Sequence, residues 1–331
     1  MSLAAVRQRW KSPRVRKRAG LVGVVLVLGA ALATGVANLP PAGLLRRLPT
    51  SEGNLSCVLF SPDGKWLASG AGSGKVFLWE AAEARPLPLR QFSQQPITAL
   101  AFSRDNFLTA GTLSQSIIVW NLKDRTAQMA PPVAAPITCM AAHPQRRELA
   151  IGMNNGKLHF LNTVTADYSV IASEHAGSVK ALVFDRAGGL LATAGADGKV
   201  IVRDATTRKV KQIWGEHAAD VSCLNFNDDG SQLASGDWTG RILVRRVADG
   251  QVLATVEREL SASGVGFAGE WLATACWGRW LQFVRLADPT QTVAFDTGQL
   301  IQALAVSPDG QTVATISPAA RVQLWKTPEV H

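Results

Sequence analysis

One interval dominates this sequence. Seven times an apolar residue opens a short β-prone segment, and twelve residues later comes the end of a second such segment. The opening segments read Leu67-Ala68-Ser69-Gly70, Leu108-Thr109-Ala110-Gly111, Leu149-Ala150-Ile151-Gly152, Leu191-Ala192-Thr193-Ala194, Leu233-Ala234-Ser235-Gly236, Leu272-Ala273-Thr274-Ala275 and Val313-Ala314-Thr315-Ile316. The closing anchors are Trp79, Trp120, Leu161, Arg203, Arg245, Val284 and Trp325, spaced 41, 41, 42, 42, 39 and 41 residues apart. A hairpin of invariant length at a near-constant period is one supersecondary unit, copied. Such a unit is too small to bury its own faces and must stack on its neighbours.

A further strand precedes each hairpin: Leu55–Phe60, Ile97–Phe102, Ile137–Ala142, Val179–Phe184, Val221–Phe226, a shorter Gly264–Phe267, and Ile301–Val306. Turn chemistry separates the two, as in Ser61-Pro62-Asp63-Gly64 and Ser307-Pro308-Asp309-Gly310. A weaker fourth strand follows each anchor, for example Lys209–Ile213, Gln251–Val256 and Thr292–Phe295. After the first two anchors that region carries Pro86 with Pro88 and Pro131 with Pro132, which a sheet tolerates only at an edge or end. Four antiparallel strands per unit, repeated radially, predict an all-β, seven-bladed propeller with the fourth strand outermost. Both faces of the strand ending at each anchor are often apolar, as blades packed face to face require.

The seventh unit has no outer strand after Trp325, whereas Leu44-Leu45-Arg46-Arg47-Leu48 stands unpaired before the first unit. The expectation is that this N-terminal strand completes the seventh blade and covers an otherwise open edge. The third position of the innermost strand is small throughout: Cys57, Ala99, Cys139, Ala181, Cys223, Gly264 and Ala303. Crowding of the inner strands at the axis would account for this. Three cysteines then occupy one equivalent site in units that are not neighbours, where they act as small apolar fillers rather than disulfide partners.

The net charge of +9 invites a nucleic-acid reading, but seven basic residues and no acidic one lie within residues 1–18. Removing them leaves 27 basic against 25 acidic residues, too even a balance for phosphate recognition, so no nucleic-acid partner is expected. Residues 19–39 are uncharged and apolar, long enough as a helix to cross a bilayer. The expected organisation is a basic cytoplasmic tail (1–18), a transmembrane signal-anchor (19–39), a linker (40–43) and the propeller (44–331) on the non-cytoplasmic side. In a Gram-negative cell that side is the periplasm. A second reading stays open: Gly35 and Ala37 are small residues at −3 and −1 of a cleavage site, as in a secretory signal peptide.

The units Leu67–Glu80, Leu191–Asp204 and Leu233–Arg246 resemble WD40 repeats, and the resemblance covers about residues 44–326. The signature dipeptide is degenerate: Trp79-Glu80, Trp120-Asn121 and Trp325-Lys326 keep only Trp, and Asp204 follows Arg203. The resemblance implies a rigid propeller serving as a protein-interaction platform, without catalysis. It also implies a structural hydrogen-bond set of loop His, strand Ser/Thr, turn Asp and Trp. His175, Thr193 and Asp197 match three of its members in the fourth unit, and His217 and Ser235 match two in the fifth.

Arg203 and Arg245 stand where the anchor is otherwise apolar or Trp, so each needs a carboxylate or solvent. Asp197, Asp204 and Asp237 are candidate partners for local ion pairs, and an anionic-ligand site is the other reading. Trp238 and Trp277 occupy the same turn position in adjacent units, with Trp280 three residues on. Exposed, they would form a candidate partner-binding face. The plainer reading lays each indole on its neighbouring blade. No pair of His (His143, His159, His175, His217, His331) or Cys has metal-ligand spacing, no phosphate-binding Gly-rich loop or GxSxG elbow occurs, and no cofactor is expected. The expectation is a non-catalytic, membrane-anchored scaffold for protein partners. The alternative is an extracytoplasmic enzyme or small-ligand binder using the axial funnel.

Overall fold

The computed structural model describes residues 43–48, 50, 53–87, 89, 94–319 and 321–329. The expected tail, transmembrane segment and most of the linker (residues 1–42) lie outside the described residues. Among the described residues no helix is long and apolar enough to cross a membrane.

The chain begins with β1 (Leu44–Leu48). Blade 1 then comprises β2 (Leu55–Phe60), β3 (Trp66–Ala71), β4 (Val76–Glu80) and β5 (Arg85–Leu87). Blade 2 is β6 (Ile97–Phe102), β7 (Phe107–Thr112), β8 (Ile117–Asn121) and β9 (Thr126–Ala130). Blade 3 is β10 (Ile137–Ala142), β11 (Glu148–Met153), β12 (Lys157–Asn162) and β13 (Tyr168–Ala172). Blade 4 is β14 (Val179–Phe184), β15 (Leu190–Gly195), β16 (Val200–Asp204) and β17 (Val210–Trp214). Blade 5 is β18 (Val221–Phe226), β19 (Gln232–Asp237), β20 (Arg241–Arg246) and β21 (Val252–Glu257). Blade 6 is β22 (Ala262–Ala268), β23 (Trp271–Cys276), β24 (Trp280–Arg285) and β25 (Thr292–Asp296). Blade 7 adds β26 (Ala303–Val306), β27 (Thr312–Ser317) and β28 (Arg321–Lys326), and its outer strand is β1.

The protein is therefore an all-β, seven-bladed propeller of four-stranded antiparallel blades. Two inner strands differ from their expected bounds. β22 is longer than Gly264–Phe267 because Ala262 still pairs with Cys276 beyond a bulge. β26 starts after Ile301, whose amide is drawn to Gly278 O of blade 6. Prolines act as expected on the outer strands: β5 is cut to three residues and β9 stops before Pro131.

The core is divided among the blade interfaces. Among the described residues there are seven apolar clusters, and each joins one blade to the next. The cluster of Leu48, Ile316 and Leu324 with Leu55, Leu67 and Trp79 joins blade 7 to blade 1 and so closes the ring. Each apolar anchor packs toward the preceding blade: Trp120 against blade 1, Leu161 against blade 2, Val284 against blade 5 and Trp325 against blade 6. The same geometry corrects the expected cause of the small third position. Cys57, Cys139 and Cys223 each pair with a glycine across the hairpin and pack toward the following blade, not the axis. A Cβ on Gly70 would collide with Ile97 of blade 2 and lie 2.9 Å from Cys57 Sγ. Burial pushes these thiols up to about 11 for Cys57 and about 12 for Cys139 and Cys223, so they stay protonated.

Hydroxyls at the second position of the inner strand add lateral bonds. Ser56 Oγ donates to Ile97 O, Thr138 Oγ1 to Val179 O, and Ser222 Oγ to Ala262 O, each in the next blade.

The alternating strand directions create two faces. The connecting face carries the inter-blade loops and the turns between second and third strands. The opposite, turn face carries the turns on either side of that hairpin. β1 starts on the turn face, where Lys326 N donates to Gly43 O (2.8 Å). From there it pairs antiparallel with β28, with Leu48 opposite Val322.

Leu48 is buried, and losing it alone costs about 2–5 kcal/mol as a Leu→Ala change. A chain starting at Glu52, without β1, should therefore melt well below one starting at Pro41, or aggregate through the exposed edge of β28. Equal thermal midpoints for the two would reject this mode of closure.

Candidate functional site

Two histidine networks stiffen the connecting face. In blade 4, His175 Nδ1 lies 2.9 Å from Asp197 Oδ1, and His175 Nε2 lies 3.1 Å from Thr193 Oγ1. A carboxylate can only accept, so Nδ1 carries the proton and Nε2 accepts from the threonine hydroxyl. In blade 5, His217 Nδ1 donates to Asp237 Oδ2 (2.8 Å) and Nε2 accepts from Ser235 Oγ (2.8 Å). Burial holds both imidazoles below the ordinary histidine value, partly offset by the aspartates, so both are neutral near pH 7. Burial raises Asp197, but the amide of Ala176 and the His175 ring more than offset it. Asp237 likewise ends below its usual value, through the hydroxyl of Thr239, the His217 ring and the amide of Arg241.

Asp237 is the member that sequence reasoning missed. Asp197 lies six residues after Leu191, whereas Asp237 lies only four after Leu233. The position equivalent to Asp237 in blade 4 is Gly195, whose added Cβ would crowd both His175 Nδ1 and Asp197 Oδ1. One carboxylate site is thus reached from two different backbone positions. A glycine facing an aspartate in the aligned repeats is the signal that could have found it.

Arg203 and Arg245 are buried at the interfaces to blades 3 and 4, as their anchor positions require. Their partners are not Asp197, Asp204 or Asp237. Arg203 pairs with Glu174 and also donates to Ser173 O, while Arg245 pairs with Glu216 at 2.6 Å and lies over the Trp214 ring at 5.4 Å. The physical reason is direction. A third-strand anchor reaches toward the preceding blade, where the loop residue just before each His waits. The three aspartates are occupied elsewhere: Asp197 and Asp237 by the histidines, and Asp204 by the amides of Thr206 and Thr207 in its own turn.

The tryptophans of the connecting face are exposed: Trp238 by 53%, Trp277 by 49% and Trp280 by 49%. Trp238 leans partly on blade 4, with Lys180 Nζ 5.1 Å from its ring and itself 3.2 Å from Asp220. Backbone bonds make the patch continuous. Ser261 Oγ donates to Trp238 O (2.7 Å), and Trp277 N donates to Ser261 O (2.9 Å). Ile301 N donates to Gly278 O (2.9 Å), which brings the exposed Leu300 alongside, and the exposed Leu260 flanks Gly278.

The axial opening on the turn face is different. Its wall is chiefly apolar, with Leu59, Ala101, Ala141 and Val183 among the lining residues, over a volume of 540 Å³. At its mouth Arg186 and Asp228 satisfy each other at 3.2 Å. Among the described residues no group of three or more His, Cys, Asp and Glu could hold a metal ion. His143 is taken up structurally: its Nδ1 accepts from the amides of Gln145 and Arg146, and its Nε2 meets Gly188 O of blade 4.

Comparison with known proteins agrees with this architecture. Residues 43–80, 168–204 and 208–245 match the family model of the WD domain, G-beta repeat, so the chain carries WD40 repeats. Each matched segment starts with the outer strand of the preceding blade, which is the stagger that leaves β1 to close the ring. Among curated proteins, the periodic tryptophan protein 2 homolog of Schizosaccharomyces pombe is 25% identical over 115 residues, 34% of this chain and 14% of that protein. The small ribosomal subunit protein RACK1 of Caenorhabditis elegans is 29% identical over 30% of each chain. The target of rapamycin complex subunit LST8 of Mus musculus is 22% identical over 49% of this chain and 51% of its own. The chain thus spans well under two thirds of each of these relatives. Among solved structures, a chain of the mitotic checkpoint complex superposes with a TM-score of 0.77 at 17% identity, covering 93% of this chain and 99% of that one. The Cps50 (Swd1) β-propeller domain of Myceliophthora thermophila gives 0.76 at 19% identity, covering 87% and 100%. At such identities the likeness concerns the fold.

Two outcomes follow from the buried polar groups. Unfolding returns His175 and His217 to water and to an ordinary pKa near 6.5, so below that pH the unfolded chain binds protons the folded one refuses. The thermal midpoint should be flat around neutrality, fall as pH drops below about 6.5, and fall again as Asp197 and Asp237 protonate. In His175→Gln/His217→Gln the first decline should shrink to the part left by His143 and His159, which burial also holds low; an unchanged profile would refute the assignment. Separately, Glu216→Gln should destabilise by about 1–2 kcal/mol, less than a fully buried pair because Glu216 is largely solvated. Adding Arg245→Met should restore much of that loss in urea melts.

Proposed function

We propose that this protein is a non-catalytic interaction scaffold whose working surface is the connecting face around Trp238, Trp277 and Trp280, displayed to protein partners. The observation that carries the reading is the continuous, half-exposed aromatic and aliphatic patch spanning blades 5 to 7. Large indoles held on rigid turns lose little entropy on docking and are frequent anchors of interfaces. The names of the relatives point the same way: a small ribosomal subunit protein and a subunit of the target of rapamycin complex are both components of assemblies. Residues 19–39 supply the proposed tether. The basic residues before them orient the chain, with the propeller on the non-cytoplasmic side. The scaffold then holds its partners near the membrane.

Trp238→Ala/Trp277→Ala should leave the thermal midpoint within a few degrees of the parent, since both side chains are half exposed. Affinity capture from detergent-solubilised membranes, read by mass spectrometry, should lose the specific partners in this variant. A double variant that unfolds would return both indoles to a packing role and remove the proposed face. Recovery of the parent protein in the soluble fraction would remove the tether.

A further inference from the structure

Blade 6 breaks the pattern of its two predecessors at the same place in the fold. Arg258 lies four residues before the first residue of its inner strand, as His175 and His217 do in theirs. The backbone confirms the equivalence. Gly156, Gly198 and Gly240 all have positive φ; a Cβ would collide with the carbonyl of His217 at Gly198 and of Arg258 at Gly240, and would lie 3.1 Å from that of His175 at Gly156. Arg258 N also donates to Gly240 O (3.0 Å), which fixes where its side chain begins.

Across from it, Thr274 keeps the hydroxyl of Thr193 and Ser235, but Cys276 replaces the aspartate of blade 5. The His–Asp network is therefore gone, and a recess of 280 Å³ opens in its place, lined by Arg258, Leu260, Thr274, Cys276, Trp280 and Gln282 among others. Inside it, Arg258 Nε and Nη2 are buried without a hydrogen-bond partner. Cys276 gives no counter-charge, because burial pushes its thiol up to about 11. Glu257 on the rim is held by Arg241 at 3.3 Å. Glu259, also on the rim, is exposed, where solvent screens its charge.

A guanidinium with two buried, unused donors and no carboxylate is costly unless something completes it. Blades 4 and 5 show what this scaffold sets against a buried guanidinium: Glu174 on Arg203 and Glu216 on Arg245. The recess has the room of roughly nine waters at ~30 Å³ each, which suits an inserted side chain and is small for a cofactor. Its rim is continuous with the aromatic patch through Leu260 and Trp280.

We infer that the Arg258 recess is a specificity socket for a glutamate side chain of a protein partner, whose neighbouring apolar residues seat on Leu260, Trp277 and Trp280. This rests on the reading of the connecting face as the interaction surface, and it adds the chemistry that selects among partners. Arg258 Nε–H and Nη2–H donate side by side to the two carboxylate oxygens, a fork that lysine cannot reproduce.

The test is selection of random twelve-residue peptides, displayed on phage with their C-termini blocked by fusion, on the full chain in detergent micelles. Selected sequences should share a glutamate beside apolar residues. Synthetic peptides with that glutamate changed to Gln should bind about tenfold or more weakly, a comparison that leaves the protein untouched. R258Q should give a similar loss and R258K a partial one, with thermal midpoints close to the parent. Binders indifferent to their own Glu→Gln change, or a selection yielding no Arg258-dependent peptide, would overturn the socket. If such binders still need Trp277 and Trp280, the interaction face stands without it. Dependence on Arg258 and the peptide glutamate but not on the tryptophans would keep the socket and remove the face.

Discussion

Everything in this fold depends on the pairing of β1 with β28. The repeat as written in the chain is offset by one strand from the blade as folded, so a linear array of repeats necessarily leaves one blade short and one strand over. Joining the two makes a circle in which no blade is terminal. Each of the seven apolar clusters needs two blades, and the cluster holding Leu48 and Trp79 exists only if the first and last blades meet. Without that contact two blade faces would open to water at once, and solenoid-like units derive their stability from such neighbour contacts rather than from themselves.

Given a closed ring, the interfaces need not be identical, and they are not. Five anchors are apolar: Trp79, Trp120, Leu161, Val284 and Trp325. At Arg203 and Arg245 the same cavity holds a guanidinium neutralised by the preceding loop, and both of these blades also carry the His–Asp network. The polar blades 4 and 5 lie directly before the blade whose network has been lost and whose recess is open. Satisfied and unsatisfied polar groups are thus separated along the connecting face of these three blades. Buried polar bonds stiffen two blades, and the third, freed of them, keeps an unsatisfied group on the aromatic side.

The architecture was legible because it rests on a period. The twelve-residue hairpin located the second and third strands of every blade, and the orphan Leu44–Leu48 segment located the closure. Five of the seven inner strands begin and end where hydrophobic alternation placed them. What escaped was lateral. Glu174 and Glu216 adjoin the histidines in sequence yet serve arginines 29 residues on, across a blade interface that the pattern of one repeat does not describe. The hydroxyls of Ser56, Thr138 and Ser222 bond carbonyls about forty residues away for the same reason. Arg258 escaped because its significance is relative. It is an unremarked loop arginine until its two neighbouring blades show what normally fills that place. The transmembrane and leader expectations belong to residues 1–42, outside the described part of the molecule.

The closing junction of the ring lies at one end of the propeller only. β1 sets out from Gly43 beside Lys326, at the end of the molecule bearing the Ser-Pro-Asp-Gly turns, and the indoles crown the other end. The junction that closes the ring and its aromatic corolla therefore occupy opposite ends, so a molecule seated on the indoles leaves the contact between Gly43 and Lys326 uncovered.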